Sequence, residues 1–431
     1  MPLHDVVIIG LGYVGLPLAL QFARTGARVL GLDVDEAKVV ALAAGRSYIH
    51  HIPDADVKEQ VHGGRLDVCT RFDTVQDADA VVICVPTPLS SNREPDISYV
   101  LKTGASIAPY LRPLAGQRPK LVVLESTTYP GTTDTELRTV LERGSGLVAG
   151  RDFHLAFSPE REDPGNPQSR VATIPKVIGG LSPECLRRAE ELYGSAITKL
   201  VPVSSTRVAE ATKLTENIFR SVNIALVNEL KVIFTAMGID IWEVIAAAKT
   251  KPFGYMAFYP GPGLGGHCIP IDPFYLTWKA REYGLTTRFI ELAGEINTSM
   301  PDYVLQIVAD ALNDCRLPIR GSTILLMGIA YKEDVDDQRE SPGYALIRKL
   351  EAKGASVIYH DPYVPEIPAS REHADLAGRK SVPLDHPCDL VLIVTAHAAF
   401  RKVDYSGWLM PLVDTRNCVA ADRRPVRYYR A

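Results

Sequence analysis

A loop rich in glycine and proline, GPGLGGHCIPIDP at residues 261–273, contains Cys268 next to His267 and four residues before Asp272. Structural cysteines are usually buried in apolar strands or helices, and this segment is typical of neither. A loop thiolate can act as a nucleophile when its surroundings lower the pKa of the thiol. Cys268 is therefore a candidate nucleophile, with a cysteine without function as the alternative. Asp272 is a candidate base, or simply the cap of a following helix.

A second group of candidate residues, Lys213, Asn217 and Arg220, occurs at spacings of i, i+4 and i+7. On a helix this spacing brings the three side chains to one face. A cation and an amide on one face can stabilise an oxygen that gains negative charge during a reaction. The same spacing is typical of a solvated polar stripe, so both interpretations stay open.

The element that must position these side chains is predicted at residues 204–238. This segment lacks proline and internal glycine, its apolar residues recur at helical spacing, and Gly238 closes it. It is predicted to be one long helix. A second helical stretch is predicted at residues 274–312, so the middle of the chain should form a mostly helical domain.

The motif GLGYVG at residues 10–15 follows a short apolar strand and opens a helix, and Asp33 ends the next strand. This arrangement is the fingerprint of a dinucleotide-binding turn. Gly10 is predicted to make the tight turn, Gly12 to admit a pyrophosphate, and Gly15 to allow close packing of helix on strand. Asp33 is predicted to bind the adenosine ribose, which favours NAD over NADP. A purely structural βα turn is the alternative.

Three further residues are candidate cofactor contacts. Tyr13 and Val14 lie inside the glycine motif, at the predicted helix N-terminus, where free N–H groups favour phosphate. Thr87, in VPTP, closes a later strand at the sheet edge where dinucleotides bind. A threonine at a strand end is also commonly a cap, so Thr87 has this second interpretation.

Strands alternate with helices at both ends of the chain, which predicts parallel sheets covered on both faces. GARVLGLD at 26–33 matches GASVIYHD at 354–361 in position and chemistry, so the two ends are internal repeats. The C-terminal repeat keeps Gly328 but lacks the other motif glycines, so it should not bind a second dinucleotide by this device. The predicted α/β architecture is an N-terminal Rossmann-type domain (1–200), a central helical domain with a long connecting helix (201–314) and a C-terminal Rossmann-like domain (315–431).

Composition excludes several classes of protein. The 431 residues are 46% hydrophobic and 23% charged, with a formal net charge of −4, so nothing favours a nucleic-acid or anionic-membrane partner. No apolar run is long enough to cross a bilayer, and the N-terminus enters a strand at once, so a cytoplasmic protein is expected. The seven scattered cysteines lack CxxC spacing, which argues against disulfides and a metal site.

At this point six ordered motifs carry a resemblance that covers nearly the whole chain. They are GLGYVGLPLA, ESTTYPGTT, FSPEREDPG, EATKLTENIFR, FYPGPGLGGHCIPIDP and GIAYKEDVDDQRESP. In this order they resemble the UDP-glucose/GDP-mannose dehydrogenase family of nucleotide-sugar 6-dehydrogenases. The middle motifs are most similar to the UDP-N-acetylglucosamine 6-dehydrogenases of bacterial surface-polysaccharide pathways. The resemblance implies two successive NAD-dependent oxidations of a sugar C6 alcohol, and a UDP-binding role for the C-terminal domain.

The resemblance also implies roles for individual residues. Cys268 would carry the thiohemiacetal and the thioester, while Lys213 and Asn217 would polarise the C6 oxygen and contact the substrate. The other catalytic assignments are Asp272 for the water or lysine network, Thr127 for positioning water beside the cofactor, and Glu160 for deprotonating or releasing the thioester intermediate.

Substrate-binding roles carry over to a further set of positions, namely Arg161, Arg220, Gly265, Tyr331 and Lys332. Lys332 would pair with the diphosphate as a point charge. Arg339 would reach the cofactor or substrate, or else form a structural ion pair.

One departure bears on the substrate. UDP-glucose members have a second glutamate a few residues after the SPE glutamate, and here the fourth residue after Glu160 is Pro164. This favours the N-acetylhexosamine branch, in which SPER supplies an arginine to the substrate. UDP-N-acetylmannosamine and UDP-glucose stay as alternative substrates. A single-step alcohol dehydrogenase with a structural Cys268, and a non-catalytic dinucleotide-binding scaffold, are the alternative functions. A homodimer or larger homo-oligomer through the central domain is expected.

Overall fold

The structure is a computed structural model that describes residues 3–49, 52–90, 94–113, 116–161, 171–266, 269–369 and 373–431. The chain divides into two compact units. The first unit is Met1–Glu216 with Phe274–Leu285, and the second is Asn217–Pro273 with Thr286–Ala431. No helix in the described part of the chain is long and apolar enough to span a membrane.

The strands are β1 His4–Ile9, β2 Val29–Leu32, β3 Leu66–Cys69, β4 Ala78–Ile83, β5 Leu121–Leu124, β6 His154–Phe157, β7 Lys176–Gly180, β8 Leu200–Val203, β9 Thr323–Met327, β10 Ser356–His360, β11 Leu390–Ile393, β12 Leu412–Asp414 and β13 Tyr428–Arg430. The α-helices are α1 Gly15–Arg24, α2 Glu36–Ala43, α3 Asp54–His62, α4 Ser98–Ile107, α5 Arg138–Ser145, α6 Pro183–Gly194, α7 Thr206–Ala236, α8 Ile241–Ala248, α9 Asp272–Glu282, α10 Arg288–Asp314, α11 Pro342–Ala352 and α12 Ala398–Arg401. Short 3₁₀ segments occur at Phe72–Asp77, Ala108–Tyr110 and Ala421–Arg423, and a π-helical turn at Thr132–Leu137 precedes α5.

The first unit is built on a sheet of strand order β3-β2-β1-β4-β5-β6-β7-β8. Its strands pair in parallel except β6 and β7, which pair antiparallel with Ala156 opposite Gly180. The prediction of a parallel sheet is therefore correct for most of this sheet and wrong at one pair. The pattern of apolar runs locates the strands but carries no information on chain direction, which the connections decide.

Alternate side chains of β1 enter different cores on the two faces of this sheet. Val6 and Ile8 pack into a cluster that includes α1, whereas Val7 and Ile9 pack on the opposite side with residues of α4 and α5. All four are buried, as expected for a parallel strand with both faces covered. This arrangement confirms the doubly covered sheet that the sequence predicts.

The long helix α7 confirms the helical prediction for residues 204–238. It runs without interruption from Thr206 to Ala236, and Gly238 follows in the left-handed region at φ +72°. The helical stretch predicted at 274–312 is present as two helices, α9 and α10. The break is a turn around Gly284, whose φ of +70° is incompatible with a continuing right-handed helix.

The second unit contains an all-parallel sheet of strand order β10-β9-β11-β12-β13. Helices α10 and α11 pack on it through a core that includes Val304, Val308, Leu346 and Ile347. The two sheets confirm the predicted α/β class with two Rossmann-like halves. An equivalent hydrogen bond occurs within each repeat. Asp33 accepts from the N–H of Leu11 in the first, and Asp361 accepts from the N–H of Ile329 in the second.

Candidate active site

The glycine turn of the first unit has three glycines with three different reasons to be glycine. Gly10 has a φ of +90°, and a Cβ there would lie 2.5 Å from the carbonyl oxygen of Cys84. A Cβ on Gly15 would lie 1.9 Å from the carbonyl oxygen of Gly10, so the helix packs directly on the turn. Around Gly12, by contrast, the described residues other than its two chain neighbours place no atom within 4 Å of the Cβ position. The turn is therefore closed on the protein side and open at Gly12.

The N-terminus of α1 and the end of β2 complete this part of the site. Among the described residues, no side chain caps α1 at Val14. Asp33 is buried, and its carboxylate accepts from the N–H groups of Leu11 at 2.8 Å and Asp35 at 2.9 Å. Lys38 Nζ lies 3.3 Å from the same carboxylate. An open glycine beside an uncapped helix N-terminus fits a dinucleotide pyrophosphate, so these residues fit NAD.

Thr87 and Thr127 follow neighbouring parallel strands, β4 and β5, and so lie at the same edge of the sheet. Thr87 is buried, and its carbonyl accepts a hydrogen bond of 2.5 Å from the hydroxyl of Tyr275. Thr127 is half-buried. Tyr13, another candidate cofactor contact, is partly buried and packs against the core cluster that includes residues of α1.

Lys213 and Glu160 come together in the first unit, as part of the predicted catalytic set. Lys213 is buried on α7, and its Nζ donates to the backbone carbonyl of Glu160 at 2.5 Å. The same nitrogen lies 3.6 Å from the Glu160 carboxylate. Arg161, the next residue, donates to the carboxylate of Glu216 at 2.6 Å and to the carbonyl of Pro175 at 2.5 Å. The segment after β6 is thus held against α7 by two cations.

A cavity next to this segment reveals two charged residues that the sequence reasoning missed. Its lining includes Val14, Glu160, Arg161, Glu125 and Lys176. Glu125 and Lys176 form an ion pair of 3.0 Å with both side chains almost fully buried.

The carboxylate of Glu125 also accepts from the hydroxyl of Tyr193 at 2.5 Å, and Lys176 lies over the Tyr193 ring. The signal in the sequence was a glutamate that directly follows an apolar strand in LVVLEST. Such a carboxylate needs a buried partner.

The second unit holds the other predicted polar side chains of α7. The side chain of Asn217 is fully buried, its Nδ2 donates to the carboxylate of Asp272, and its Oδ1 accepts from Arg220. Because Asn217 has a partner on each side of its amide, the orientation of that amide is fixed. Three residues predicted from the sequence are therefore joined in one hydrogen-bonded chain. Asp272 is also the first residue of α9.

The glycines before Cys268 allow the loop to pack closely against the side chain of Tyr331. A Cβ on Gly265 would lie 2.7 Å from the Cβ of Tyr331, and one on Gly266 would lie 2.8 Å from the Tyr331 ring. Gly266 also donates to the carbonyl of Arg339 at 3.0 Å. The loop therefore packs tightly on the turn after β9, which brings Gly265 and Tyr331 together. Cys268 itself lies outside the described residues.

Arg416 is a further residue of this region that the sequence reasoning missed. Its guanidinium occupies the space beside Gly261, where a Cβ would lie 2.4 Å from Nη1. Its Nε donates to the carbonyl of Val394 at 2.9 Å. The signal in the sequence was a cation in VDTR, since Arg416 lies two residues after β12, at the carboxyl edge of the second sheet. In doubly wound folds that edge is where ligands bind.

Lys332 and Arg339 differ in their surroundings. Lys332 is half-buried beside Tyr331. Arg339 is exposed and forms a bidentate ion pair with Asp337, with Nη2 2.6 Å and Nε 3.0 Å from its carboxylate oxygens. The structural ion pair that was the alternative for Arg339 is present. A role of Arg339 in binding cofactor stays a prediction.

Comparison with protein families gives three matches in chain order, all to the UDP-glucose/GDP-mannose dehydrogenase family. Residues 4–197 match its NAD binding domain, residues 207–299 its central domain, and residues 325–421 its UDP binding domain. Together the three matches cover most of the chain.

Individual relatives agree on the class of enzyme and differ in the sugar. The chain is 35% identical over 399 residues to UDP-N-acetyl-D-glucosamine 6-dehydrogenase of Pseudomonas aeruginosa, covering 92% of each. It is 34% identical to NDP-N-acetyl-D-galactosaminuronic acid dehydrogenase of Ralstonia solanacearum, covering 97% of each. Among solved structures, UDP-D-ManNAc dehydrogenase of Pyrococcus horikoshii superposes with a TM-score of 0.88 at 31% identity, covering 99% of this chain and 98% of the other.

Proposed function

Because this chain belongs to the UDP-glucose/GDP-mannose dehydrogenase family, and is thus an NAD-dependent nucleotide-sugar dehydrogenase, we propose that its substrate is UDP-N-acetyl-D-glucosamine. The reaction is a four-electron oxidation of the C6 alcohol to the carboxylate, which supplies a uronic acid precursor for surface polysaccharide. The observation that carries the choice of sugar is the full-length match at 35% identity to an enzyme named for it. Arg161, next to Glu160 in SPER, supports the same branch.

The chemistry needs a cation at the C6 oxygen and a nucleophile at C6. The ammonium of Lys213 is held by the Glu160 carbonyl, so it is positioned to donate to an alkoxide or oxyanion without moving. Asn217, whose amide orientation is fixed by Asp272 and Arg220, is the second donor. When bound, NAD supplies the hydride-accepting nicotinamide for both oxidations.

Cys268 is the proposed nucleophile for the second oxidation. Its thiolate adds to the C6 aldehyde to form a thiohemiacetal, loss of hydride leaves a thioester, and water releases the acid and the free thiol. Thr127 orients that water, and Glu160 and Asp272 take up the protons. Overall, one alcohol and one water give one carboxylate, with two hydrides transferred and three protons released.

Binding of UDP is assigned to the second unit. Tyr331 and Lys332 lie on the turn after β9, and Arg220 and Gly265 complete the substrate set. Lys332 is a half-buried residue and is well suited to the diphosphate, because partial burial strengthens an ion pair with an anionic ligand. The proposed NAD site consists of the glycine turn and Asp33 with three further contacts, namely Gly10, Gly12, Tyr13, Val14, Gly15, Asp33, Thr87, Thr127 and Arg339.

The proposal is tested by the amount of NADH formed per sugar consumed at the endpoint. UDP-N-acetylglucosamine, its manno epimer and UDP-glucose are compared side by side with wild type, Cys268→Ala and the control Cys69→Ala. Two NADH per UDP-N-acetylglucosamine, lost in Cys268→Ala and kept in Cys69→Ala, is the expected result. One NADH per sugar would contradict the thioester route and leave a single-step alcohol dehydrogenase. Two NADH with another sugar would change the substrate alone.

UDP-N-acetylmannosamine is the second candidate substrate. The similarity to UDP-D-ManNAc dehydrogenase of Pyrococcus horikoshii favours it. The two sugars differ only in configuration at C2, so a ratio of their kcat/KM values measures the discrimination directly. A ratio above about tenfold in favour of one epimer corresponds to about 1.4 kcal/mol of selective transition-state binding.

A homodimer through the central helices is the proposed assembly. Large apolar side chains lie exposed along α7 at Phe219, Leu226 and Ile233, spaced so that they form one stripe, and the exposed Met237 follows directly after the helix. Contiguous exposed apolar surface of this kind is typical of a protein interface. Light scattering should give twice the mass of the chain, and Ile233→Glu should lower it to the monomer. A wild-type monomer at micromolar concentration would contradict the proposal.

A further inference from the structure

His397 and Asp361 form a buried hydrogen-bonded pair in the C-terminal part of the second unit. The side chain of His397 is fully buried, and its Nε2 lies 3.2 Å from Oδ2 of Asp361. The other ring nitrogen, Nδ1, accepts a hydrogen bond of 2.9 Å from the backbone N–H of Asp334. Since Nδ1 accepts, the ring proton is on Nε2 and is donated to Asp361. Both nitrogens of the ring are therefore used.

The turn after β9, at residues 329–334, is bound at both ends by this pair. His397 binds its end at Asp334, and the carboxylate of Asp361 binds its start. Oδ2 of Asp361 also accepts from the N–H groups of Ile329 at 2.7 Å and Ala330 at 3.0 Å. Thr395 adds a hydrogen bond of 2.6 Å from its hydroxyl to the carbonyl of Ala330. The pair thus holds residue 329 through Asp361 and residue 334 through His397, and Tyr331 and Lys332 lie between these two points.

The turn would not keep this conformation by local preference alone. Asp334 has a φ of +57°, in the left-handed region that non-glycine residues avoid. Its N–H is bonded to His397, and its carboxylate accepts from the N–H of Ala398 at 2.9 Å and from the hydroxyl of Tyr363 at 3.2 Å. A strained residue of this kind persists only where its surroundings hold it. His397 is one of the groups that hold it.

We propose that His397 and Asp361 are positioning residues for the nucleotide part of the substrate, because they fix the turn that presents Tyr331 and Lys332. The inference rests on the UDP-binding role proposed above for those two residues. It assigns the pair no contact with substrate and no part in the oxidation. Substrate affinity should therefore depend on the pair, whereas NAD binding and the rate at saturation should not.

Two substitutions of His397 test its two hydrogen bonds separately. His397→Asn keeps an acceptor near the position of Nδ1 and removes the donor to Asp361, while His397→Gln keeps a donor near Nε2 and removes the acceptor for Asp334. Each should weaken binding of UDP alone, measured by calorimetry, about threefold to tenfold, the range for one lost hydrogen bond. KM for the UDP-sugar should rise by the same factor, with kcat and KM for NAD unchanged. His360→Asn is the control, since His360 bonds instead to the carbonyl of Val382.

Lys332→Ala, measured in the same way, distinguishes a failure of the proposed UDP site from a failure of the proposed positioning role. If Lys332→Ala weakens UDP binding and both His397 variants bind UDP like wild type, the positioning role is wrong and the UDP site stands. If Lys332→Ala also binds UDP normally, the UDP site itself is misassigned and the inference falls with it. His397→Ala, which removes both hydrogen bonds, is the reference for loss of fold. If His397→Asn and His397→Gln lose NAD affinity, or lose as much melting temperature as His397→Ala, the pair stabilises the fold in general, and the proposal is refuted.

Discussion

Replacing Lys231 by methionine should stabilise the protein at neutral pH. Lys231 lies on α7 in the second unit and is only 2% exposed. Its Nζ has no hydrogen-bond partner among the described residues, and it lies 5.6 Å from the centre of the Tyr303 ring. Burial lowers the pKa of Lys231 from 10.5 to about 7, with Arg416 lowering it further and Asp414 opposing the change. Methionine has a similar length, no charge, and a thioether that packs well on an aromatic ring.

The expected effect depends on pH in a definite direction. Between about pH 7 and 10.5 the unfolded chain binds more protons at this position than the folded chain, so wild-type stability rises with pH across that window. The two pKa values imply that ionisation of Lys231 makes folding less favourable by roughly 5 kcal/mol at pH 6.5 and by roughly 1 to 2 kcal/mol at pH 9.5. The advantage of Lys231→Met over wild type should therefore shrink by about 3 kcal/mol between these pH values.

Urea unfolding at several pH values, followed by circular dichroism, measures this difference. Lys380→Met is the matched control, because Lys380 belongs to the same unit and is exposed. Its difference from wild type should not change with pH. An advantage of Lys231→Met that is equal at pH 6.5 and 9.5 would refute the reasoning, since the effect would then come from packing alone. A destabilised variant at pH 6.5 would mean that the amine has a favourable partner in the folded protein.

Three further substitutions test other parts of the structure. Gly12→Ala should keep the melting temperature and raise KM for NAD about tenfold, whereas Gly10→Ala should unfold at lower temperature. The reason is that, of these two glycines, Gly10 is the one confined by neighbouring backbone. Lys176→Met should destabilise by about 3 to 5 kcal/mol by leaving Glu125 buried without its cation, and adding Glu125→Gln should recover most of this in thermal unfolding. Lys213→Met should lower kcat about 10²- to 10³-fold with unchanged NAD affinity by fluorescence titration, and a kcat within a factor of two of wild type would exclude it as the oxyanion donor.

Features that depend on neighbouring residues were predictable from the sequence. The extent of α7 follows from uninterrupted helical periodicity and a terminal glycine, and the helix ends within two residues of its predicted bounds. The roles of Gly10 and Gly15 follow from the strand–turn–helix context. The break between α9 and α10 was equally local, and Gly284 was its signal.

Features that depend on distant residues were not predictable. Glu125 and Lys176 pair across the sheet of the first unit, and nothing in the sequence around either residue identifies the other. The antiparallel pairing of β6 with β7 depends on the path of the chain between them. The resemblance implied a substrate-binding role for Gly265, but nothing near it in the sequence indicated that its Cβ position lies against the side chain of Tyr331. Spacing along the chain gives the types of residue at a site but not their partners.

Both Rossmann-like repeats have an aspartate at the end of the second strand, Asp33 in one and Asp361 in the other. The two carboxylates bind different backbone N–H groups, which limits how the repeats could have diverged. In the first repeat Asp33 takes the N–H of Leu11 and leaves open space at Gly12. In the second, Asp361 takes two successive N–H groups and is itself covered by His397. Backbone donors that are already used cannot receive a pyrophosphate, whatever side chains surround them. Restoring glycines to the second turn would therefore not restore a dinucleotide site. The hydrogen bonds of its backbone, and not only its side chains, prevent this turn from binding a dinucleotide.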